Sequence, residues 1–402
     1  MPAYQYLIVG GGMTADAAVQ GIRQVDSTGS IGLIGDELHS PYDRPPLSKG
    51  LWRSKPLESI WRTTAAREAA LHLGRKAVAL DPSQKCVRDD QGTVYRYETL
   101  LLAMGGTPRR LPSDSDSILY FRTLDDYHYL RLLTQEKRRF AVIGGGFIGS
   151  EIAAALTMNG KEVVMIFPQQ AIGSRIFPPD LAESLNDFYR EKGVEVHAGE
   201  TVETVNARGS RFVVKTRSGR GDRQQEIVVD AVVAGLGIRP NIDLAQAAGL
   251  EVNNGICVDS TLRTSDPAIF AAGDVADCYT PVLQSYLRAE HEDNANTMGA
   301  AAGRSMAGEA ISYDHIASFY SDLFELGYEA VGDVDSRLET VADWKEPYRE
   351  GAVYYMQDGR VRGVLLWNVW DRVDAARELI KETGPFQPED LEGRLLEAHE
   401  HA

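Results

Sequence analysis

Cysteine is scarce in this chain of 402 residues: there are three, Cys86, Cys257 and Cys278. They stand far apart, with no C-x-x-C and no metal-ligand spacing, which argues against a disulfide framework, a zinc site and a dithiol redox centre. A reducing, cytoplasmic compartment fits. Long apolar runs are missing too. None reaches the roughly eighteen residues of a membrane span, and the longest, such as V-L-L-W-N-V-W, are strand-sized, so no span is expected. Positive charge is in deficit, 42 Lys and Arg against 58 Asp and Glu, a formal net charge of −16. A chain that acidic repels phosphate backbones, so no nucleic-acid partner is expected. The densest basic run, Lys137-Arg138-Arg139, reads as the flank of a strand. The chain opens almost at once on Y-Q-Y-L-I-V-G, which leads us to expect no signal or transit peptide.

What remains is ordinary for a globular protein, 43% hydrophobic and 25% charged, and the length suggests two or three domains. Glycine is the exception. Its 38 residues gather in clusters, and the first cluster is informative. An apolar run meets G-x-G-x-x-A at Gly10, Gly12 and Ala15, followed by an alanine-rich stretch suited to a helix. Such glycines permit a tight turn and bring backbone N–H groups close to a pyrophosphate at the helix N-terminus. A second apolar run, S-I-G-L-I-G-D-E, ends in Asp36 and Glu37, at the distance where an acid takes ribose hydroxyls.

The pattern then recurs. F-A-V-I-G-G-G-F-I-G-S-E carries Gly144, Gly146 and Gly149 as G-x-G-x-x-G. Its second strand, E-V-V-M-I-F-P-Q, ends at Gln169 and not at an acid. Two dinucleotide folds imply two dinucleotides, a pairing native to redox flavoenzymes with FAD on one unit and NAD(P)H on the other. The alternative is a duplicated unit with one dead site. Further on, T-S-D-P-A-I-F-A-A-G-D ends a short strand in a carboxylate, Asp274. The reading assigns residues 1–112 and 241–310 to a discontinuous FAD-binding domain, 113–240 to an inserted NAD(P)H-binding domain, and 311–402 to a C-terminal dimerisation or interface domain.

One further stretch, P-Y-D-R-P-P-L-S-K at residues 41–49, holds a lysine at the end of a proline-stiffened arm. Together with L-L-L-A-M-G-G-T-P-R, G-G-G-F-I-G-S-E and A-A-G-D it resembles the FAD/NAD(P)-dependent reductases, in the branch of ferredoxin reductases and apoptosis-inducing factor. F-Y-S-D-L-F-E-L-G-Y-E-A-V-G and G-V-L-L-W-N-V-W-D-R-V-D-A-A-R-E-L-I resemble the C-terminal domain of apoptosis-inducing factor. The resemblance implies an α/β fold, two Rossmann-like dinucleotide-binding domains plus an α+β C-terminal domain. The chain departs from the mammalian-type relatives in lacking their long C-terminal insertion, where only V-A-D-W-K-E-P-Y-R-E-G stands, and in Met104, where A-T-G is usual.

The resemblance also implies residue roles. Lys49 pairs with Glu151 beside the flavin, where a fixed cation favours the negative charge of the reduced ring. Arg44 and Arg109 contact FAD phosphates or ribose, with a surface arginine as the alternative for either. Tyr320 stands next to flavin and nicotinamide, or is a core tyrosine. Phe147 covers the flavin until nicotinamide displaces it. Glu290 and His291 open a helix whose N-terminus faces the flavin's pyrimidine edge, His291 having a helix-surface role as its alternative. With no cysteine in the 41–49 arm, electrons pass from reduced FAD directly to an acceptor, ferredoxin-like, quinone-like or other. The expected activity is NADH oxidation, with NADPH left open because Gln169 favours neither nucleotide. The alternative is a slow oxidase of the apoptosis-inducing-factor kind, a redox-gated interaction protein whose charge-transfer complex controls partner binding or homodimerisation. The acidic stretch from Asp371 to Ala402 reads as a helix and a polar end.

Overall fold

A computed structural model describes residues 1–112, 118–219 and 223–396, and the statements below concern those residues. The chain divides into two compact units. One comprises Met1–Arg44, Pro56–Thr107 and Arg239–Ala317; the other comprises Pro45–Lys55, Pro108–Ile238 and Ser318–Ala402.

The first unit is built on a seven-stranded sheet. Strand Ala3–Val9 lies between Ile31–Gly35 and Val94–Leu102, parallel to both. Ala69–Leu73 extends the parallel part on one side, and Ile269–Ala271 pairs in parallel along the end of Val94–Leu102. The residues at its centre, Leu7, Ile8, Leu33, Leu100, Leu101 and Leu102, are fully buried. Their near-continuous apolar runs are what a sheet covered on both faces requires. Helix Met13–Val25 buries Ala15, Ala18, Val19 and Ile22. It packs so tightly against helix Glu292–Met306 that a Cβ on Gly299 would come within 2.5 Å of the Thr14 carbonyl oxygen.

The second unit repeats the parallel theme. Its five strands run in the order Glu195–Ala198, Glu162–Phe167, Arg139–Ile143, Ala231–Ala234, Ile118–Tyr120, each parallel to its neighbour. A three-stranded antiparallel sheet, Glu200–Arg208, Arg211–Ser218 and Gln224–Val229, joins the same core through Val202, Val205, Val214, Ile227 and Val229. In the C-terminal region five antiparallel strands stand in the order Ser318–Leu323, Leu326–Gly332, Arg360–Trp367, Glu350–Gln357, Glu339–Glu346. Helix Val373–Lys381 lies against the second and third of them. The stretch that stands in place of a longer insertion, residues 341–351, forms the turn and flanks of the Glu339–Glu346/Glu350–Gln357 hairpin. The acidic end contains helix Val373–Lys381 and the short helix Pro388–Leu391; residues 397–402 lie outside the described residues. The α/β class that the resemblance implies is the fold found, with two parallel-sheet Rossmann-like domains and a sheet-rich C-terminal region.

Candidate functional site

Each glycine loop sits where a buried strand turns into a helix, and each glycine has a different reason to be there. Gly10 has φ +135° and Gly144 φ +116°, values a side chain resists. A Cβ on Gly10 would also run into the carbonyl oxygen of Ala103, and one on Gly144 into that of Gly235. Gly149 lets its helix close over the Gly144 carbonyl, and Ala15, its counterpart in the first unit, is fully buried. Gly12 and Gly146 are unlike these. They cap helices Met13–Val25 and Phe147–Met158 with φ of −100° and −89°, which any residue adopts. A Cβ at either would meet no protein atom within 4 Å. Neither backbone geometry nor packing within the chain asks for glycine there. The open space at each helix N-terminus leaves room for an approaching group, and both loops fit a dinucleotide pyrophosphate.

In the first unit, strand Ile31–Gly35 delivers Asp36, which is exposed, and Glu37. Glu37 accepts a 2.6 Å hydrogen bond from the Tyr42 hydroxyl and forms an ion pair with Arg44. Burial pulls the Arg44 guanidinium down, but Tyr42, Glu37 and Asp274 more than offset this and raise it above its ordinary value. Asp274 stands on the tight turn Gly273–Val275, and its carbonyl accepts from Arg288 Nη1 at 3.0 Å. Arg288 also pairs with Glu290 at 2.5 Å. The helix expected to open at Glu290 and His291 begins at Glu292, with His291 as its N-cap. These residues therefore share one unit with the first glycine loop. Arg109 does not: it belongs to the second unit, is exposed, and its Nε donates to the Ile238 carbonyl at 3.1 Å.

The arm at residues 41–49 acquires its meaning in the second unit, to which Pro45–Lys55 belongs. Pro45–Leu47 makes a 3₁₀ turn, and the Trp52 indole donates to the Leu47 carbonyl at 2.8 Å, so the chain beyond the prolines is held from inside. Lys49 Nζ lies 2.8 Å from Glu151 Oε1, with side chains 10% and 2% exposed. Glu151, in the first turns of helix Phe147–Met158, accepts two further hydrogen bonds, from Ser48 Oγ at 2.5 Å and Ser321 Oγ at 2.6 Å. Lys49 Nζ also stands 5.1 Å from the centre of the Tyr320 ring, which is 41% exposed. Phe147 packs edge-on against Phe319, ring centres 5.2 Å apart. Lys49, Glu151 and Tyr320 are thus one cluster, assembled from the proline arm, the second glycine helix and the edge strand of the C-terminal sheet.

Gln169 lies two residues beyond the end of strand Glu162–Phe167, and its carbonyl accepts from Gly199 N at 2.8 Å. The reading of the sequence missed Ser48 and Ser321, although each neighbours a residue it named. It also missed Asp16, 1% exposed, which accepts from Thr64 Oγ1 at 2.5 Å and Arg62 Nη1 at 3.2 Å and so fastens the first glycine helix to the segment after the proline arm. No sequence motif flags that carboxylate. No helix among the described residues is long and apolar enough to cross a membrane.

Two nucleotide-type loops in one chain, with a buried lysine–carboxylate pair and no cysteine in the arm that carries the lysine, define a two-nucleotide oxidoreductase. The chain belongs to the pyridine nucleotide-disulphide oxidoreductase family, whose model matches residues 4–299. The C-terminal model of mitochondrion-associated apoptosis-inducing factor matches residues 302–347 and 342–382, and the match breaks within the short hairpin described above. Among known proteins the chain is 34% identical to the ferredoxin–NAD(+) reductase component of the anthranilate 1,2-dioxygenase system of Burkholderia cepacia, covering 97% of each chain. It is 31% identical to mitochondrial apoptosis-inducing factor 1 of Dictyostelium discoideum, over 94% of this chain and 78% of that protein. The solved covalent complex of putidaredoxin reductase with putidaredoxin matches 96% of this chain and 95% of that one, with a TM-score of 0.88 and 28% identity. The branch indicated by the motifs is the one found. The protein is an enzyme, a reductase of the ferredoxin-reductase type, and its family implies a flavin and a pyridine nucleotide.

Proposed function

We propose that the protein holds FAD on residues 1–112 and 241–310, takes hydride from NADH bound on residues 113–240, and passes electrons to a ferredoxin-like protein without a redox cysteine. The observation that carries this is the pair of glycines, Gly12 and Gly146, whose missing Cβ nothing in the chain itself requires. FAD, when bound, would accept one hydride with its electron pair and release the two electrons one at a time. Around it the first unit offers the helix N-terminus at Gly12, Glu37 with its Arg44 partner, and Asp274 for the ribityl chain. Lys49 supplies a cation for the reduced state, and Glu151, braced by Ser48 and Ser321, keeps that cation in place. The relatives named for ferredoxin reduction support the acceptor class, and with an acidic ferredoxin the docking patch would have to be locally basic.

A second reading rests on the C-terminal match to apoptosis-inducing factor. In it, NADH reduces the flavin slowly, the reduced state persists, and residues 311–402 form a homodimer or partner interface that responds to it. Anaerobic stopped-flow mixing with NADH and with NADPH, followed at 450 nm and beyond 600 nm, separates the two. Fast bleaching by NADH and fast reoxidation by a ferredoxin is the result expected of a reductase. Slow bleaching, with a long-wavelength band that survives air, would favour the redox-gated reading. No bleaching by either nucleotide would overturn both.

A further inference from the structure

The turn that carries Gln169 is tied down at four backbone atoms, and one buried side chain makes two of those ties. Asn186, 5% exposed, stands on the inner face of helix Pro179–Glu191, beside Leu181, Ala182 and Leu185 in an otherwise apolar stripe. Its Nδ2 donates to the Gln170 carbonyl at 3.0 Å, and its Oδ1 accepts from the Ile172 amide at 3.0 Å. On either side of this clamp, Gly199 N donates to the Gln169 carbonyl at 2.8 Å and Gly173 N donates to the Gly145 carbonyl at 2.8 Å. The segment from 169 to 173 thus spans from the end of strand Glu195–Ala198 to the second glycine loop, with Asn186 fixing its middle.

A buried primary amide on an apolar helix face is costly unless both its ends are used. Here both are used on backbone atoms of a single turn, which a hydrophobic residue of similar size could not do. We propose that Asn186 is a positioning residue for the pyridine nucleotide, holding residues 169–173 in the shape that presents Gln169 to the adenosine ribose. The proposal rests on the reading that the second unit binds NADH. It makes nucleotide selection a property of a clamped turn as well as of the side chain at position 169.

The test uses the flavin-loaded protein and three variants, Asn186→Asp, Asn186→Ala and Gly146→Ala. Asn186→Asp keeps the acceptor for Ile172 but sets a carboxylate oxygen against the Gln170 carbonyl, whereas Asn186→Ala removes both contacts without burying a charge and guards against a variant that does not fold. We expect the dissociation constant of NAD+ by calorimetry, and KM for NADH, to rise about tenfold in Asn186→Ala, the effect expected when a buried partner is removed. The rise in Asn186→Asp should be at least as large, with kcat changed less than twofold in both. Hydrogen exchange should speed up at the amides of Ile172 and Gly173 and stay slow in strand Arg139–Ile143. A shift in the NADH-to-NADPH ratio of kcat/KM would support the proposal further, because a merely structural role lowers both nucleotides alike. Unchanged NAD+ affinity in both Asn186 variants, while Gly146→Ala loses it, would overturn the role of Asn186 and leave the binding reading intact. Absence of NAD+ binding in the unsubstituted protein would overturn that reading itself.

Discussion

Glu151 offers the sharpest perturbation, because its carboxylate serves a nearly buried lysine and two serine hydroxyls at once. The Glu151 side chain is 2% exposed, and its three partners, Lys49, Ser48 and Ser321, lie at 2.8, 2.5 and 2.6 Å. Replacing it by glutamine strands the ammonium in a site that water scarcely reaches. Removing one partner of a buried pair costs about 3–5 kcal/mol, and the amide oxygen that glutamine retains puts the expected loss near the low end of that range. Lys49→Met should cost less, about 1–2 kcal/mol, since Ser48 and Ser321 continue to donate to the carboxylate. The double variant removes both charges. It should be less destabilised than the sum of the singles by about 2 kcal/mol, a coupling in the range measured for groups in contact. Urea unfolding of the flavin-loaded protein, followed by tryptophan fluorescence, measures this, since Trp52 and Trp367 both lie buried in the second unit. Single losses below about 1 kcal/mol that simply add would refute the reasoning, because they would mean that solvent screens the pair.

Gly12→Ala and Gly149→Ala form an informative contrast. The first adds a methyl into open space and should leave the fold intact while the protein purifies with little flavin, read as the ratio of 450 to 280 nm absorbance. The second drives a Cβ into the Gly144 carbonyl and should lower the unfolding midpoint outright. Glu200 gives the protein a defined acid limit. Burial alone would push its carboxyl up, but hydrogen bonds from Thr216, Gln225, His197 and Arg223 outweigh this and bring it down to about 2. The stability it contributes is therefore complete above its unfolded value of about 4.3 and is lost as pH falls from there through 2. The full contribution is about 3 kcal/mol, and urea midpoints of Glu200→Gln should lack that segment of the pH profile. Electron flow should not need a thiol: the triple variant Cys86→Ser, Cys257→Ser, Cys278→Ala should keep NADH-driven flavin reduction within twofold. Burial pushes the Cys278 thiol up to about 11, so iodoacetamide at pH 8 should leave it unmodified in the native protein.

How much of this was legible in the sequence depends on the range of the interaction that fixes each feature. The glycine loops were legible because a strand, a tight turn and a helix start are local events, and φ +135° at Gly10 or +116° at Gly144 leaves a mark on the residue itself. The pairing of Lys49 with Glu151, separated by about a hundred positions, was reached through family motifs, since neither residue announces a partner by spacing. The same motifs single out Arg109, whose Nε donates to the Ile238 carbonyl. Ser48, Ser321 and Asn186 were beyond either route. Each is a small polar residue in a common context, and its importance appears only when distant elements bring it against a buried carboxylate or the backbone of a turn. The supporting shell of the site is therefore the part written in tertiary contacts. The Asn186 series asks whether that shell also selects the nucleotide.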